Sequence, residues 1–98
     1  EDAEGALSFF QTNSAIVEYC NISNNHYGIY CYSSSPSITN NTISNNHDYG
    51  IGCYSSSPSI ANNTISGNDY NGIYCWGNSS PSITNNTISG NNYNGIYC

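Results

Sequence analysis

Apolar residues in this chain stand one at a time between polar neighbours: Ile60 in Ser59-Ile60-Ala61, Ile65 in Thr64-Ile65-Ser66, Ile73 and Cys75 in Gly72-Ile73-Tyr74-Cys75. That alternation is the two-residue period of a strand with one buried face, and no 3.6-residue pattern lasts long enough for a helix. Isoleucine, threonine and tyrosine favour strands, while the Asn, Ser and Gly clusters between them supply turns and left-handed backbone.

The strand pieces come in threes, and the triplet repeats. Cys31, Cys53, Cys75 and Cys98 follow one another at steps of 22, 22 and 23, and Pro36, Pro58 and Pro81 at 22 and 23. A period of this size marks stacked copies of one unit rather than a core drawn from distant segments. Three strands and three bends per unit predict an all-β fold, a right-handed parallel β-helix of about four rungs in which each strand pairs with its counterpart about 4.8 Å along the axis. The whole chain, 1–98, reads as one domain: an acidic, frayed lead-in over 1–4 and repeats over 5–98.

Aligning the units gives columns. The inward ones are expected to be Ala6, Ile29, Ile51, Ile73 and Ile96; Ser8, Cys31, Cys53, Cys75 and Cys98; Val17, Ile38, Ile60 and Ile83; and Ile22, Ile43, Ile65 and Ile88. The first unit is a degenerate copy, with Gly5 to Phe9 set against Gly28 to Cys31. One bend carries Cys20, Asn41, Asn63 and Asn86, and the next Asn25, Asn46, Asn68 and Asn91. A stacked amide can donate to one neighbour and accept from the other, so both columns read as structural asparagine ladders. Gly28, Gly50, Gly72 and Gly95 are expected to supply a positive φ before the following strand. Outward, Tyr30, Tyr74 and Tyr97 form one aromatic row, broken at Gly52, and Tyr32, Tyr54 and Trp76 a second.

Ile38-Thr39-Asn40-Asn41-Thr42-Ile43-Ser44-Asn45-Asn46, followed by Gly50-Ile51 and repeated twice more, resembles the parallel β-helix repeats of the pectate-lyase-like superfamily. The likeness runs from about Gly5 to Cys98. It implies the fold and a secreted or cell-surface setting, as in many archaeal and bacterial proteins, and it implies a carbohydrate groove along the aromatic face. It does not single out an activity, because such repeats occur in lyases, hydrolases, epimerases, adhesins and structural proteins alike.

Charge narrows the field. Six carboxylates with no lysine or arginine give a net charge of −6. Nucleic-acid phosphates and anionic membrane surfaces therefore find no basic patch, so neither is expected as a partner. No run of 18 apolar residues offers itself for membrane insertion, and no hydrophobic leader follows Glu1, so any secretion signal is expected to have been removed or to lie outside these residues. A polar, charge-poor composition also suits a disordered chain, but disorder has no need of register, and the apolar positions keep theirs across four units.

Catalysis is not expected. Glycoside hydrolysis needs two facing carboxylates, and Glu18 falls on a different strand from Asp48 and Asp69; lyases of the resembled superfamily also rely on an Arg or Lys, which this chain lacks. His26 and His47 should stack one rung apart with Asp69 and Asn92 continuing the column, and two imidazoles and a carboxylate are able to bind a transition metal. A straight ladder does not converge on a point as a tetrahedral site must, so two solvent-facing histidines are the expected reading and no metal or other cofactor is assigned. Stacked cysteines would hold their Cβ atoms about 4.8 Å apart, beyond the roughly 3.8 Å of a relaxed disulfide. Buried thiols filling the stack are favoured over bridges. Asn21, Asn40, Asn62, Asn78 and Asn85 stand in Asn-x-Ser/Thr acceptor sequences for glycosylation, three of them simply because the unit repeats.

The leading functional expectation is an extracellular structural protein whose subunits stack head to tail into a homopolymer, since uncapped solenoid ends invite association. The alternative is a carbohydrate-binding, or formerly carbohydrate-active, β-helix segment of a larger surface protein, with polysaccharide as partner. A surface adhesin whose aromatic face meets another protein is a third.

Overall fold

In the computed structural model, residues 5–98 are described; the acidic lead-in over 1–4 lies outside them. Thirteen short strands wind into a solenoid. One sheet stacks β1 (Gly5–Phe10), β4 (Tyr27–Tyr32), β7 (Ile51–Tyr54), β10 (Ile73–Trp76) and β13 (Ile96–Tyr97). A second stacks β2 (Ile16–Glu18), β5 (Ser37–Thr39), β8 (Ser59–Ala61) and β11 (Ser82–Thr84); a third stacks β3 (Asn21–Ser23), β6 (Thr42–Ser44), β9 (Thr64–Ser66) and β12 (Thr87–Ser89). Every pairing is parallel and joins like positions of consecutive rungs, such as Ile43 with Ile65 and Ile65 with Ile88. The all-β, three-strand, roughly four-rung solenoid expected from the sequence is the fold.

Its core is the set of apolar columns. Ile29, Ile38, Ile43, Ile51, Ile60, Ile65 and Ile73 are fully buried, and Cys31, Cys53 and Cys75 lie beside them. Burying an isoleucine is worth about 1.5–3 kcal/mol. A rung with three such isoleucines and a buried cysteine therefore gains most of its stability from its neighbours and little from itself.

The first rung departs from the expected alignment. Leu7 pairs with Ile29 and Phe9 with Cys31, so Leu7 and Phe9 pack on the core in place of Ala6 and Ser8. A one-residue slip exchanges the two faces of a strand, and the register that buries the two larger apolar side chains prevails.

Polar ladders close the bends. Asn41 donates from both its backbone N–H and its Nδ2 to Asn63 Oδ1, at 2.9 and 3.0 Å, and Asn63 does the same to Asn86 at 2.8 and 3.0 Å. The remaining Nδ2 hydrogens go to strand carbonyls one rung back, from Asn63 to Ile38 and from Asn86 to Ile60. Asn63, in the middle of the ladder, thus meets its full complement of two donated and two accepted bonds. At the next bend Asn25, Asn46 and Asn68 each donate from backbone N–H and Nδ2 to the Oδ1 of the following asparagine, a ladder that runs on to Asn91. Cys20 ends the first ladder: its N–H still reaches Asn41 Oδ1, but its thiol turns to the Glu18 carbonyl. The third bend holds a ladder that the sequence reading did not single out. Ser34 N–H donates to Ser56 Oγ and Ser56 N–H to Ser79 Oγ, while these hydroxyls donate to carbonyls at the ends of β4, β7 and β10.

The glycine expectation is corrected. Left-handed backbone occurs just after each strand, in the columns Tyr19, Asn40, Asn62 and Asn85; Asn24, Asn45, Gly67 and Gly90; and Gln11, Ser33 and Ser55, continued by Gly77 and Asn78. Gly28, Gly50, Gly72 and Gly95 have no positive φ, and the first three serve a different need. A Cβ on Gly50 would come within 2.8 Å of the Gly72 carbonyl oxygen and 3.0 Å of Ile65. Only a hydrogen fits where the chain re-enters the first sheet.

All five cysteines are free thiols, buried at Cys31, Cys53 and Cys75 and exposed at Cys20 and Cys98. Hydrogen bonding with the Cys31 thiol and burial raise the Cys53 pKa, and Cys53 together with burial raises that of Cys75. Burial, followed by the Cys75 thiol, also lifts Cys98.

Gly50→Ala should lower stability by about 3 kcal/mol, the upper end of overpacking costs. Gly90→Asn, at a left-handed position with open space around it, should change stability by less than about 1 kcal/mol; urea denaturation of both variants checks the contrast. In mass spectrometry after brief alkylation of the folded protein, label should appear on Cys20 first, then on Cys98, and on the other three only in denaturant.

Candidate functional site

Side chains of the first sheet that point away from the core make a continuous aromatic face. Tyr32 meets Tyr54 at 5.1 Å between ring centroids and Tyr54 meets Trp76 at 5.6 Å, the expected second row, which Phe10 extends at 5.6 Å from Tyr32. In the first row Tyr74 meets Tyr97 at 5.3 Å, and Trp76 leans across to Tyr74 at 4.9 Å and Tyr30 at 6.1 Å, merging the rows. Such ring pairs contribute about 0.5–1.5 kcal/mol beyond their area.

The break at Gly52 has a cause. The Tyr49 ring occupies that place, so a Cβ on Gly52 would run into Tyr49 Cε1 and Cδ1. Tyr49 is buried, stacks on Tyr27 at 4.5 Å and 9°, and lies 5.2 Å from Tyr74 and 5.8 Å from Trp76. Burial, with a hydrogen bond to Tyr27, raises its phenol pKa.

Just before the re-entry glycine, the successive rungs carry Tyr27, Tyr49, Asn71 and Asn94. Where the column is aromatic, the rings fill the space beside the sheet. Where it turns to asparagine, a cleft of about 340 Å³ opens, lined by Asp48, Tyr49, Tyr70, Asn71, Tyr74, Tyr93, Asn94 and Tyr97. Asn71 is buried and accepts the Asn94 backbone N–H on Oδ1 at 2.9 Å. Tyr70 and Tyr93, from the loops of successive rungs, stack at 4.7 Å and 18° with both rings exposed.

Asp48 is the charged group of the cleft. Its Oδ1 is buried without a hydrogen-bond partner, and its Oδ2 lies 3.9 Å from His26 Nε2. Burial raises its pKa above 3.8, opposed by the His26 charge and the Tyr49 backbone N–H and assisted by the Asp69 charge.

The histidine column is only partly realised. Backbone pairing does set His47 beside the Asn25–His26 segment and Asp69 beside Asn46–His47. The side chains nonetheless separate into two pairs, His26 with Asp48 and His47 with Asp69 at 3.8 Å. The chain between Asn25 and Gly28 is one residue shorter than in the later rungs, and His26 turns to lie 4.5 Å from the Tyr27 ring. Among the described residues no three His, Cys, Asp or Glu side chains group so as to hold a metal. Glu18, on β2, belongs to another sheet from the Asp48 and Asp69 loops.

The glycosylation-type asparagines are all exposed. Asn40, Asn62, Asn78 and Asn85 are also left-handed bend residues. In Asn40-Asn41-Thr42 the first residue makes the bend, the second enters the ladder and the third begins a strand, so the geometry of the bend itself generates the acceptor sequence.

Sequence reasoning missed Tyr27, Tyr49, Tyr70, Tyr93 and the place of Asp48 in the cleft. One signal was available: a glycine interrupting an outward aromatic row, with an extra tyrosine three residues before it.

A parallel solenoid with laddered bends and an aromatic face defines a β-helical repeat protein. The family described as "right handed beta helix region" matches residues 2–88, and the chain belongs to it. No curated protein and no solved structure matches the chain.

Because the folded state holds the Asp48 proton more tightly than the unfolded chain, stability should fall as pH rises from 3.8 through the raised pKa, then level off. Thermal melts across that range should show the fall, and Asp48→Asn should remove it and melt higher at neutral pH.

Proposed function

We propose that the protein is a non-catalytic carbohydrate-binding β-helix of the cell surface or extracellular space, and that the cleft between Asp48 and Tyr97 is where it holds sugar. The observation that carries this reading is the pairing of exposed tyrosine rings with a few polar groups in one concavity. Pyranose rings present apolar C–H faces that lie on aromatic rings, while Asn71, Asn94 and Asp48 offer hydrogen-bonding groups to hydroxyls. The cleft volume lies at the small end for ligand sites and suits on the order of one or two sugar rings. Parallel stacking also suits a polymer ligand, because the tyrosine pairs recur along the solenoid axis.

The chemistry present supports binding without turnover. The chain has no lysine or arginine to act as a lyase base. Of the carboxylates in the repeats, Asp48 and Asp69 share one stack of loops, Glu18 is on another sheet, and only Asp48 lines the cleft.

A second reading, end-to-end stacking into a structural filament, is favoured by the apolar end faces of the described rungs. Ile96 is 45% exposed beside partly buried Ile83 and Ile88, while Leu7, Phe9, Ile16 and Val17 line an open hollow at the other end. Either face fits another rung, from a longer chain or from a second copy.

In affinity electrophoresis through gels containing soluble polysaccharide, the protein should be retarded by at least one polymer. Tyr93→Ala should weaken retention about tenfold, and Tyr32→Ala, on the same face but outside the cleft, should leave it unchanged; equal retention of all three proteins would end the reading. If copies stack, electron micrographs at high concentration should show fibres rather than dispersed particles.

A further inference from the structure

Resting on the carbohydrate reading, we propose that the cleft is a subsite for a cationic sugar, a 2-amino-2-deoxyhexose unit whose free ammonium sets its charge against Asp48 while its ring lies on the tyrosines.

No lysine or arginine exists anywhere in the chain to neutralise its six carboxylates. Asp48 has one side-chain neighbour of complementary character, the largely exposed His26 at 3.9 Å, and its Oδ1 has no hydrogen-bond partner. Asp69, from the next rung, adds negative potential, since it already acts on Asp48 across the loop stack. A negative charge half withdrawn from water and left without a cation favours a ligand that brings one.

The rest of the lining points the same way. Tyr49, Tyr70, Tyr74, Tyr93 and Tyr97 surround the space, and the faces of aromatic rings attract ammonium groups through their quadrupoles. A neutral sugar would use the rings but leave the Asp48 charge unanswered. A uronic acid would place like charge against Asp48 and Asp69, a contact that discriminates against it. An amino sugar uses both the apolar rings and the charge.

The test is isothermal titration calorimetry at neutral pH and low salt with four probes: a glucosamine tetramer, its fully N-acetylated counterpart, cellotetraose and a galacturonate tetramer. The glucosamine tetramer should bind about tenfold or more tightly than cellotetraose, and the galacturonate should not bind. Salt should narrow the gap, as screening of a charge pair requires. In Asp48→Asn, shown folded by its thermal melt, the amine preference should vanish while cellotetraose binding persists; in Tyr93→Ala both sugars should weaken together. Equal affinity for the amine, acetylated and neutral tetramers, or a preference that survives Asp48→Asn, would overturn the inference and leave the carbohydrate reading standing. Failure of all four sugars would overturn both. Competition by tetramethylammonium as strong as that of the glucosamine tetramer would overturn the sugar part, making the cleft a simple ammonium cage.

Discussion

Everything in this molecule depends on the spacing between rungs. Once parallel strands are held about 4.8 Å apart, a side chain has above and below it the same side chain, and it must be one that tolerates its own kind as a neighbour. Isoleucine does so by packing. Asparagine does so because an amide carries two donors and two acceptors, so Asn41, Asn63 and Asn86 can bond to each other, to backbone N–H groups and to strand carbonyls, with nothing left over at Asn63. Serine at the third bend does it with one hydroxyl, accepting from the rung before and donating to a carbonyl of its own rung. The exchange at Cys20 shows the limit: a thiol fills the position but cannot hand the ladder on.

Two different demands on the backbone lie behind the small residues. Left-handed bends turn the chain after each strand, and asparagine, serine or glycine meets that demand because each tolerates positive φ or bonds locally. The glycines at 28, 50 and 72 answer a steric demand instead: the chain passes so near the next rung's carbonyl that no Cβ fits. The left-handed position passes from Asn24 and Asn45 to Gly67 and Gly90, whereas the re-entry position is glycine at 28, 50, 72 and 95.

The cleft opens where the repeat is broken. Identical rungs would give a uniform aromatic face, whereas the change from Tyr27 and Tyr49 to Asn71 and Asn94 withdraws two rings and leaves a concavity beside Tyr74 and Tyr97. The rung that carries Tyr49 has Gly52 in place of the outward tyrosine, so the ring folds into the space over the glycine. The same loop places Asp48 at the edge of this concavity, with a buried oxygen that nothing in the protein satisfies. The orphan oxygen is an energetic cost in the free protein.

The sequence by itself determined the solenoid, its three strands per rung, the isoleucine columns and both asparagine ladders. Each follows from one rule, that residues a repeat apart meet, and position in the repeat is enough to apply it. Tertiary structure decided what that rule does not reach. The first strand took the register that buries Leu7 and Phe9, because pairing with β4 is set by total burial and not by likeness of letters. His26 and His47 parted because a one-residue difference in loop length redirects a side chain. The cleft arose from rings crossing between columns, as Tyr49 and Trp76 do. Contacts along the axis repeat with the sequence, while contacts across it depend on where flexible rings find room, and that is known only when all the rungs are in place.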